Sequence, residues 1–450
     1  MNENNKRAVD MLHGGIFKKL LYITIPIFLM STLQQLFNAS DTAVVGNFSS
    51  SEAMAAVGSN APVINMIVTF FTGLSVGSNV MLSHFIGKNE EEKVNDALHT
   101  SFSVALISGF IMLALGQVIA VPILKLLNTP SHILPMAQMY LRIYFLGMPF
   151  LMVYDFGSAV LRSIGDTRRP LYYLIISGSL NVVLNLFFVI VLHRNADGVA
   201  YATTISNGVS AFMILRALMR EKGMLHLDLS RLSLKWKYVR RILWIGAPAG
   251  LQGMIFSISN VVIQAAINLF GSDCVAGNSA ALNLEYICYF TVYAFCQALM
   301  TFISQNYAAG QYDRCRRTTR IAFVSAIGFT AIISVCFYLL RYPILSFFTH
   351  DPDVLKFAVI RMLFIALLEP MTALYEVPGA SLRGIGHSLM PTLITLMGSC
   401  ILRIIYMHIM MHRFTSFYQV VMIYPISWAI TGASMIILYF RVTKKAYRKA

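Results

Sequence analysis

Charge is what this chain has least of. Only 12% of its 450 residues are Asp, Glu, Lys or Arg, against 57% that are hydrophobic. A water-soluble domain carries roughly twice that share of charge, so a soluble enzyme is excluded. Cysteine is scarce too: Cys274, Cys288, Cys296, Cys315, Cys336 and Cys400 are all there are, and all lie in the second half. With neither C-x-x-C nor zinc-finger spacing, they read as small packing residues. No G-x-x-x-x-G-K-[ST] phosphate loop and no H-E-x-x-H helix occurs. The chain therefore carries no ATPase of its own. Gly73-Leu-Ser-Val-Gly77 matches the hydrolase elbow G-x-S-x-G but lacks its strand–turn–helix setting. Inside an apolar run these glycines read as a G-x-x-x-G packing face.

What is there is apolar length. Mean hydropathy is +0.66, and blocks long enough for a hydrocarbon core of about 30 Å recur along the sequence. Twelve are expected, near 16–47, 53–84, 95–123, 133–158, 169–193, 198–220, 240–270, 275–308, 319–341, 354–380, 389–412 and 417–440. The first is too long and too poorly punctuated for a cleaved signal peptide, so it should persist in the mature protein. The expected fold is an all-α polytopic membrane protein. The net charge of +15 could suggest nucleic acid, but its placement argues otherwise. Of 35 basic residues, 27 fall at the two termini and in alternate connections, including Lys6, Arg7 and Lys449. By the positive-inside rule, both termini are expected in the cytoplasm and the span number is even; the expected location is the plasma (inner) membrane.

The second half repeats the first. Leu161-Arg-Ser-Ile-Gly165 returns as Leu382-Arg-Gly-Ile-Gly386, and Pro149, Tyr154 and Asp155 return as Pro370, Tyr375 and Glu376, all shifted by 221. Pro26 and Asn38 return as Pro248 and Asn260, and His84-Phe-Ile-Gly87 reads as Tyr307-Ala-Ala-Gly310. The implied plan is two homologous six-helix bundles. A cytoplasmic tail at 1–15 precedes a bundle at 16–220; a basic linker at 221–238 joins it to a bundle at 239–441, followed by a basic tail at 442–450. Such duplicated bundles commonly place a binding site near the bilayer midplane.

Polar residues inside the spans mark candidate sites. Gln34, Asn38 and Asp41 fall in one narrow sector of the first helix. A carboxylate at that depth costs about 2.5–3.5 kcal/mol on insertion scales, so it faces a cavity or a partner. Asn181 and Asn185 form an i,i+4 pair on span 5, and Thr203 and Asn207 another on span 6. Glu285 stands in an otherwise uncharged span 8 with no obvious partner, and Glu369 in span 10, with Arg142, Arg361 and Arg403 as the few membrane bases. Asp41 has no acidic counterpart in the second copy, where Ile263 takes its place.

The stretch LQQLFNASDTAVVGNFSSSEAMAAVGSNAP from Leu33 resembles the first-helix signature of the multidrug and toxic compound extrusion (MATE) family. So do AGNSAALNLEYI from Ala276, ISQNYAAGQ from Ile303, and LRSIGDTRRP with its second copy. The resemblance covers essentially the whole chain. It implies secondary active efflux, with antiport of Na⁺ or H⁺ against organic, often cationic, compounds by alternating access. By resemblance Asp41 matches the family's first-helix acid, and Asn181, Asn185 and Thr203 match polar positions of the first bundle's cavity; with Asn38 they form the expected cation-coupling set, and Na⁺, if it is the ion, is expected at Asp41, Asn181 and Asn185. Substrate contacts are expected at Gln34, Asn260, Glu285 and Glu369. Two departures stand out: Asn185 replaces an acid that several members carry, and Met254-Ile-Phe-Ser257 replaces the region of a span-7 glutamate. Expected partners are small organic substrates and membrane lipids, with no nucleic acid, no ATPase subunit and no cofactor, and the protein is expected to be a monomer. The alternatives are a flippase for lipid-linked saccharide precursors and, more remotely, a membrane-embedded lipid-modifying enzyme.

Overall fold

A computed structural model describes residues 9–127, 129–411 and 413–448; Lys6, Arg7 and Lys449 of the basic flanks lie outside them. Helices numbered to match the twelve spans are α1 Ile16–Phe48, α2 Ser51–Gly87, α3 Glu91–Leu126, α5 Arg168–Val191 and α6 Ala196–Met219. They continue as α7 Trp236–Asn268, α8 Ser272–Ala308, α9 Tyr312–Leu339, α10 Pro352–Gly384, α11 Leu389–Met410 and α12 Phe417–Ala446. Span 4, expected as one helix, is two: Leu134–Leu146 and Met148–Ser163 meet at 46°, together α4. Counted as one broken span, the pair completes twelve among the described residues.

Proline alone does not explain the break, since α1 runs unbroken through Pro26 and α7 through Pro248. At α4, Gly147 and Pro149 act together: the proline ring excludes the carbonyl four residues back and supplies no N–H. In lipid every freed backbone group needs a partner. Thr204 of α6 supplies one, donating its hydroxyl to the Ile143 carbonyl at 3.1 Å. The matching Pro370 sits in a tight turn at Glu369–Thr372 within α10.

The repeated Leu-Arg-x-Ile-Gly motif ends both helices the same way. Gly165 and Gly386 take φ of +80° and +91°. Asp166 N–H then donates to Leu161 C=O at 3.0 Å, and His387 N–H to Leu382 C=O at 2.9 Å. Each is a glycine stop that satisfies orphan carbonyls. The pairing of Gly87 with Gly310 needs correction. The left-handed residue after α2 is Asn89 (φ 56°), matching Gly310 (φ 74°) after α8. Glu90 N–H reaches Phe85 C=O and Gln311 N–H reaches Asn306 C=O, the same closure at the common shift of 221. Asparagine tolerates this conformation, so no glycine is needed.

Two compact units form. One comprises Met1–Asp10 and Leu29–Ala247, the other Met11–Phe28 and Pro248–Ala450. In the first, Met148–Ser163 is buried at nearly every position and packs on α2, α3 and α6. Gly77 of α2 allows the close approach read from its motif: a Cβ there would lie 2.3 Å from the Ile242 carbonyl oxygen. The 221–238 segment is packed onto this unit, with Leu225 and Leu227 buried. Lys235 pairs with Asp96 at 2.6 Å, and Asp228 N–H donates to His99 Nε2 at 3.1 Å. In the second unit, Ala373–Gly384 of α10 is the buried centre, packed on α8 and α12.

Candidate functional site

In the first unit α1 and α5 come unusually close. A Cβ on Gly178 would fall 1.9 Å from the Phe37 ring, so only glycine fits. That contact brings Asp41 against the Asn181–Asn185 face of α5, just before a π-helical turn at Phe187–Val191. Turns of that kind are frequent at functional positions. Asp41 is 8% exposed. Asn185 Nδ2 donates to Asp41 Oδ1 at 2.6 Å and also to Asn181 Oδ1 at 3.2 Å. Asn181 Nδ2 donates to Thr203 Oγ1 at 3.2 Å. The single Thr203 hydroxyl proton is shared between Asp41 Oδ2 (3.3 Å) and the Val199 carbonyl (3.0 Å). One acceptor is left over: Asn185 Oδ1 is buried and unpartnered. Among the described residues, Asp41 thus has two neutral hydrogen-bond donors and no basic side chain at ion-pair distance.

Gln34 and Asn38 share the helix with Asp41 but are exposed, and its hydrogen bonds come from α5 and α6 instead. The Tyr140 and Tyr144 rings stack beside the site, 6.3 Å apart and 24° from parallel. Both lie within electrostatic range of Asp41.

The second unit is built differently. Glu285 does have a partner: Arg361 of α10 donates to its Oε2 from Nη2 at 2.6 Å and from Nε at 2.9 Å. Residues 76 positions apart give no linear signal of that pairing. Arg361 Nη1 also donates to Asn278 Oδ1 at 2.6 Å. Arg403 of α11 donates to Ser427 Oγ at 2.8 Å and stacks 4.3 Å from the Tyr424 ring centre. Glu369 is 3% exposed, within electrostatic range of Glu285, Arg361 and Arg403, and its Oε2 has no partner. Glu376 pairs with Arg383 at 3.8 Å, and Arg383 donates to Gln252 at 3.0 Å. Asn260 is exposed and joins none of these groups.

Residues 26–187 and 248–409 each match the MatE family, one match per repeat. The chain belongs to the MatE family. It is a membrane transporter rather than an enzyme. Among relatives, it is 28% identical over 399 residues to the Probable multidrug resistance protein YpnP of Bacillus subtilis, covering 88% of this chain and 89% of that one. It is 27% identical to the FAD transporter of Shewanella oneidensis, covering 77% of each chain. An outward-facing multidrug resistance MATE family transporter of the MOP superfamily superposes with a TM-score of 0.89, covering 99% of both chains at 20% identity. That likeness speaks to fold alone.

Within this MatE chain, sequence reasoning missed Asn278, Tyr140, Tyr144 and the Thr72 contact to Asp155. It also missed the second unit's ion pairs, for which a signal was present: the acids Glu285, Glu369 and Glu376 are matched in number by Arg361, Arg383 and Arg403.

Proposed function

We propose that this chain is a secondary active exporter that exchanges Na⁺ or H⁺ for organic compounds by alternating access, with Asp41 as the coupling carboxylate. The observation that carries this reading is the Asp41 network, a buried carboxylate held by neutral donors beside the unpartnered Asn185 Oδ1. A proton on Asp41 would make its carboxyl a donor, and the Asn185 amide, turned over, could accept from it through the orphan oxygen. A Na⁺ would instead take oxygens from Asp41, Asn181, Asn185 and Thr203, an all-oxygen set that suits a hard cation. Either event changes how α1, α5 and α6 hold one another. An ion couples to transport only if two conformations bind it differently. Asn185, standing where an acid could be, leaves Asp41 as the single titrating group of the set.

Gln34 and Asn38, exposed on the same helix face, are proposed to meet the substrate rather than the ion. Asn260 and Glu369 are proposed to do so in the second copy. Glu285 is different: its charge is answered by Arg361, so we assign it to holding α8 against α10. A flippase for pyrophosphate-linked saccharides would need free cationic groups, and Arg361 is committed to Glu285 and Asn278. The relatives' names cover both multidrug and FAD transport. The preference for cationic compounds therefore rests on the first-unit carboxylates Asp41 and Asp155, which have no ion-pair partner among the described residues. Functional bundles of 16–220 and 239–441, cytoplasmic termini, a plasma-membrane location and a monomeric state complete the proposal.

The test is dye efflux from proteoliposomes under separately imposed Na⁺ and H⁺ gradients, for wild type and Asp41→Asn. The variant keeps the size and hydrogen bonds of the site but can neither titrate nor supply charge. It is expected to bind dye and lose gradient-driven efflux. Wild-type efflux in Asp41→Asn under the same gradient sinks the coupling role.

A further inference from the structure

Asp155 is a membrane carboxylate for which the coupling network has no use. It lies in the middle of Met148–Ser163, a segment otherwise buried almost throughout, and its side chain remains partly exposed. Its hydrogen bond comes from Thr72 Oγ1 of α2 at 3.2 Å, a neutral donor. Arg162, seven residues on and the counterpart of Arg383, lies within electrostatic range of Asp155 but forms no ion pair with it. The repeat shows how such an acid is normally quieted. Its counterpart Glu376 is buried and paired with Arg383, which is in turn held by Gln252. One copy closes an ion pair on its carboxylate; in the other the arginine acts only from a longer distance.

The surroundings of Asp155 suit an organic cation. Asn65, Thr69 and Thr72 occupy one face of α2 at i, i+4 and i+7, and none of them is buried. They give a polar lining that ends at the carboxylate. Tyr144 stands within electrostatic range of both Asp155 and Asp41 and stacks on Tyr140. An aromatic face beside a carboxylate is the usual pairing for a quaternary or protonated amine. With termini in the cytoplasm, Asp155 falls in the inner half of its span and Asp41 in the outer half of α1, so the two need not be occupied by the same charge.

We propose that Asp155, with Thr72 and Tyr144, is a recognition site for the positive charge of organic cations, separate from the coupling site at Asp41. The inference rests on the exporter reading above and deepens it.

The test measures binding of tetraphenylphosphonium and of neutral triphenylphosphine oxide to the purified full-length protein. Wild type, Asp155→Asn, Asp155→Glu and Asp41→Asn are compared, with thermal melting as a check on folding. Loss of one charge interaction at partly desolvated distances is worth about tenfold or more in affinity. The expected result is at least a tenfold weakening for the cation in Asp155→Asn, with the neutral compound unchanged. Asp155→Glu should restore most of the cation affinity, and Asp41→Asn should keep it. Equal weakening for both compounds would make Asp155 a packing residue and overturn the proposal, as would wild-type cation affinity in Asp155→Asn. Tight cation binding in wild type with no gradient-driven efflux would overturn the exporter reading while leaving the recognition site standing.

Discussion

Replacing Glu285 by glutamine removes the charge that answers Arg361 and leaves the guanidinium where it is. Arg361 is 3% exposed, so water cannot take the carboxylate's place. Of the hydrogen bonds it gives to α8, two end on Glu285 and one on Asn278. Breaking one side of a buried pair costs about 3–5 kcal/mol, chiefly from the charge left behind. The surviving Asn278 bond and the side-chain carbonyl of the introduced glutamine hold the expected value near the lower limit, about 3 kcal/mol. For a unit of some 200 residues this corresponds to a fall on the order of 10 °C in melting temperature. Melting of the purified variant in detergent or nanodiscs gives the number. Removing both charges, as Glu285→Gln with Arg361→Met, should recover much of the loss, because the guanidinium goes with its partner and Glu369 keeps the field of Arg403. A pair that only holds helices together predicts one thing more: export of cationic and neutral dyes should fall by the same factor in Glu285→Gln. A melting temperature within about 2 °C of wild type, or selective loss of cationic dyes, would refute this reasoning and return Glu285 to the substrate.

Gly178→Ala forces a methyl against the Phe37 ring at 1.9 Å and should cost about 1–3 kcal/mol. Gly58→Ala, with nothing within 4 Å, should melt like wild type; equal melting of the two would remove the close α1–α5 contact as a determinant. A cysteine at Ser50 should react with an impermeant maleimide added to intact cells and one at Glu92 should not, the reverse pattern contradicting the cytoplasmic termini. Thr203→Val keeps the shape of α6 but removes the hydroxyl shared between Asp41 and Val199. It should raise the ion concentration needed for half-maximal efflux severalfold, which ion titration of proteoliposome transport will read; an unchanged midpoint would take Thr203 out of the ion set.

How much of this was legible in the sequence depends on distance along the chain. The spans follow from apolar length, and the Leu-Arg-x-Ile-Gly stops follow from a local backbone requirement, so both were readable. Asn181 and Asn185 were found because one helix turn puts them on one face. Proline was ambiguous: Pro26 lies in a continuous helix, whereas Pro149 breaks one only with Gly147 two residues before it. The same left-handed turn carries Gly310 in the second copy and Asn89 in the first, so matching glycines pointed two residues off. The contacts Asp41–Asn185, Glu285–Arg361 and Thr72–Asp155 span 144, 76 and 83 positions. Periodicity has no purchase at such separations; only packing decides them.

The two copies have kept their turns and diverged in their charges, and the divergence has a direction. In the second unit, Glu285 and Glu376 are each within ion-pair distance of an arginine, and Glu369, although unpaired, lies in the field of Arg361 and Arg403. In the first unit, among the described residues, Asp41 has only amide and hydroxyl donors, and Asp155 has the Thr72 hydroxyl and the field of Arg162, with no basic partner of either at ion-pair distance. A buried charge answered inside the protein gains little from an incoming ion, because the ion would have to displace an arginine that is already desolvated. A buried carboxylate answered only by neutral donors gains the full interaction. On the proposed function, the free energy available from a proton, a Na⁺ or a cationic cargo would therefore be greatest in the first unit, at Asp41 and Asp155. The second unit can present its apolar and aromatic surface without titrating. On this argument, exchanging the logic of the halves is the decisive manipulation. Introducing a base beside Asp155, for example Thr72→Lys, should abolish cation export while leaving folding and Asp41 intact. Removing Arg383 from Glu376 should create a second cation-sensitive position where none exists. Failure of Thr72→Lys to reduce export of cations would mean that charge compensation does not determine which half responds.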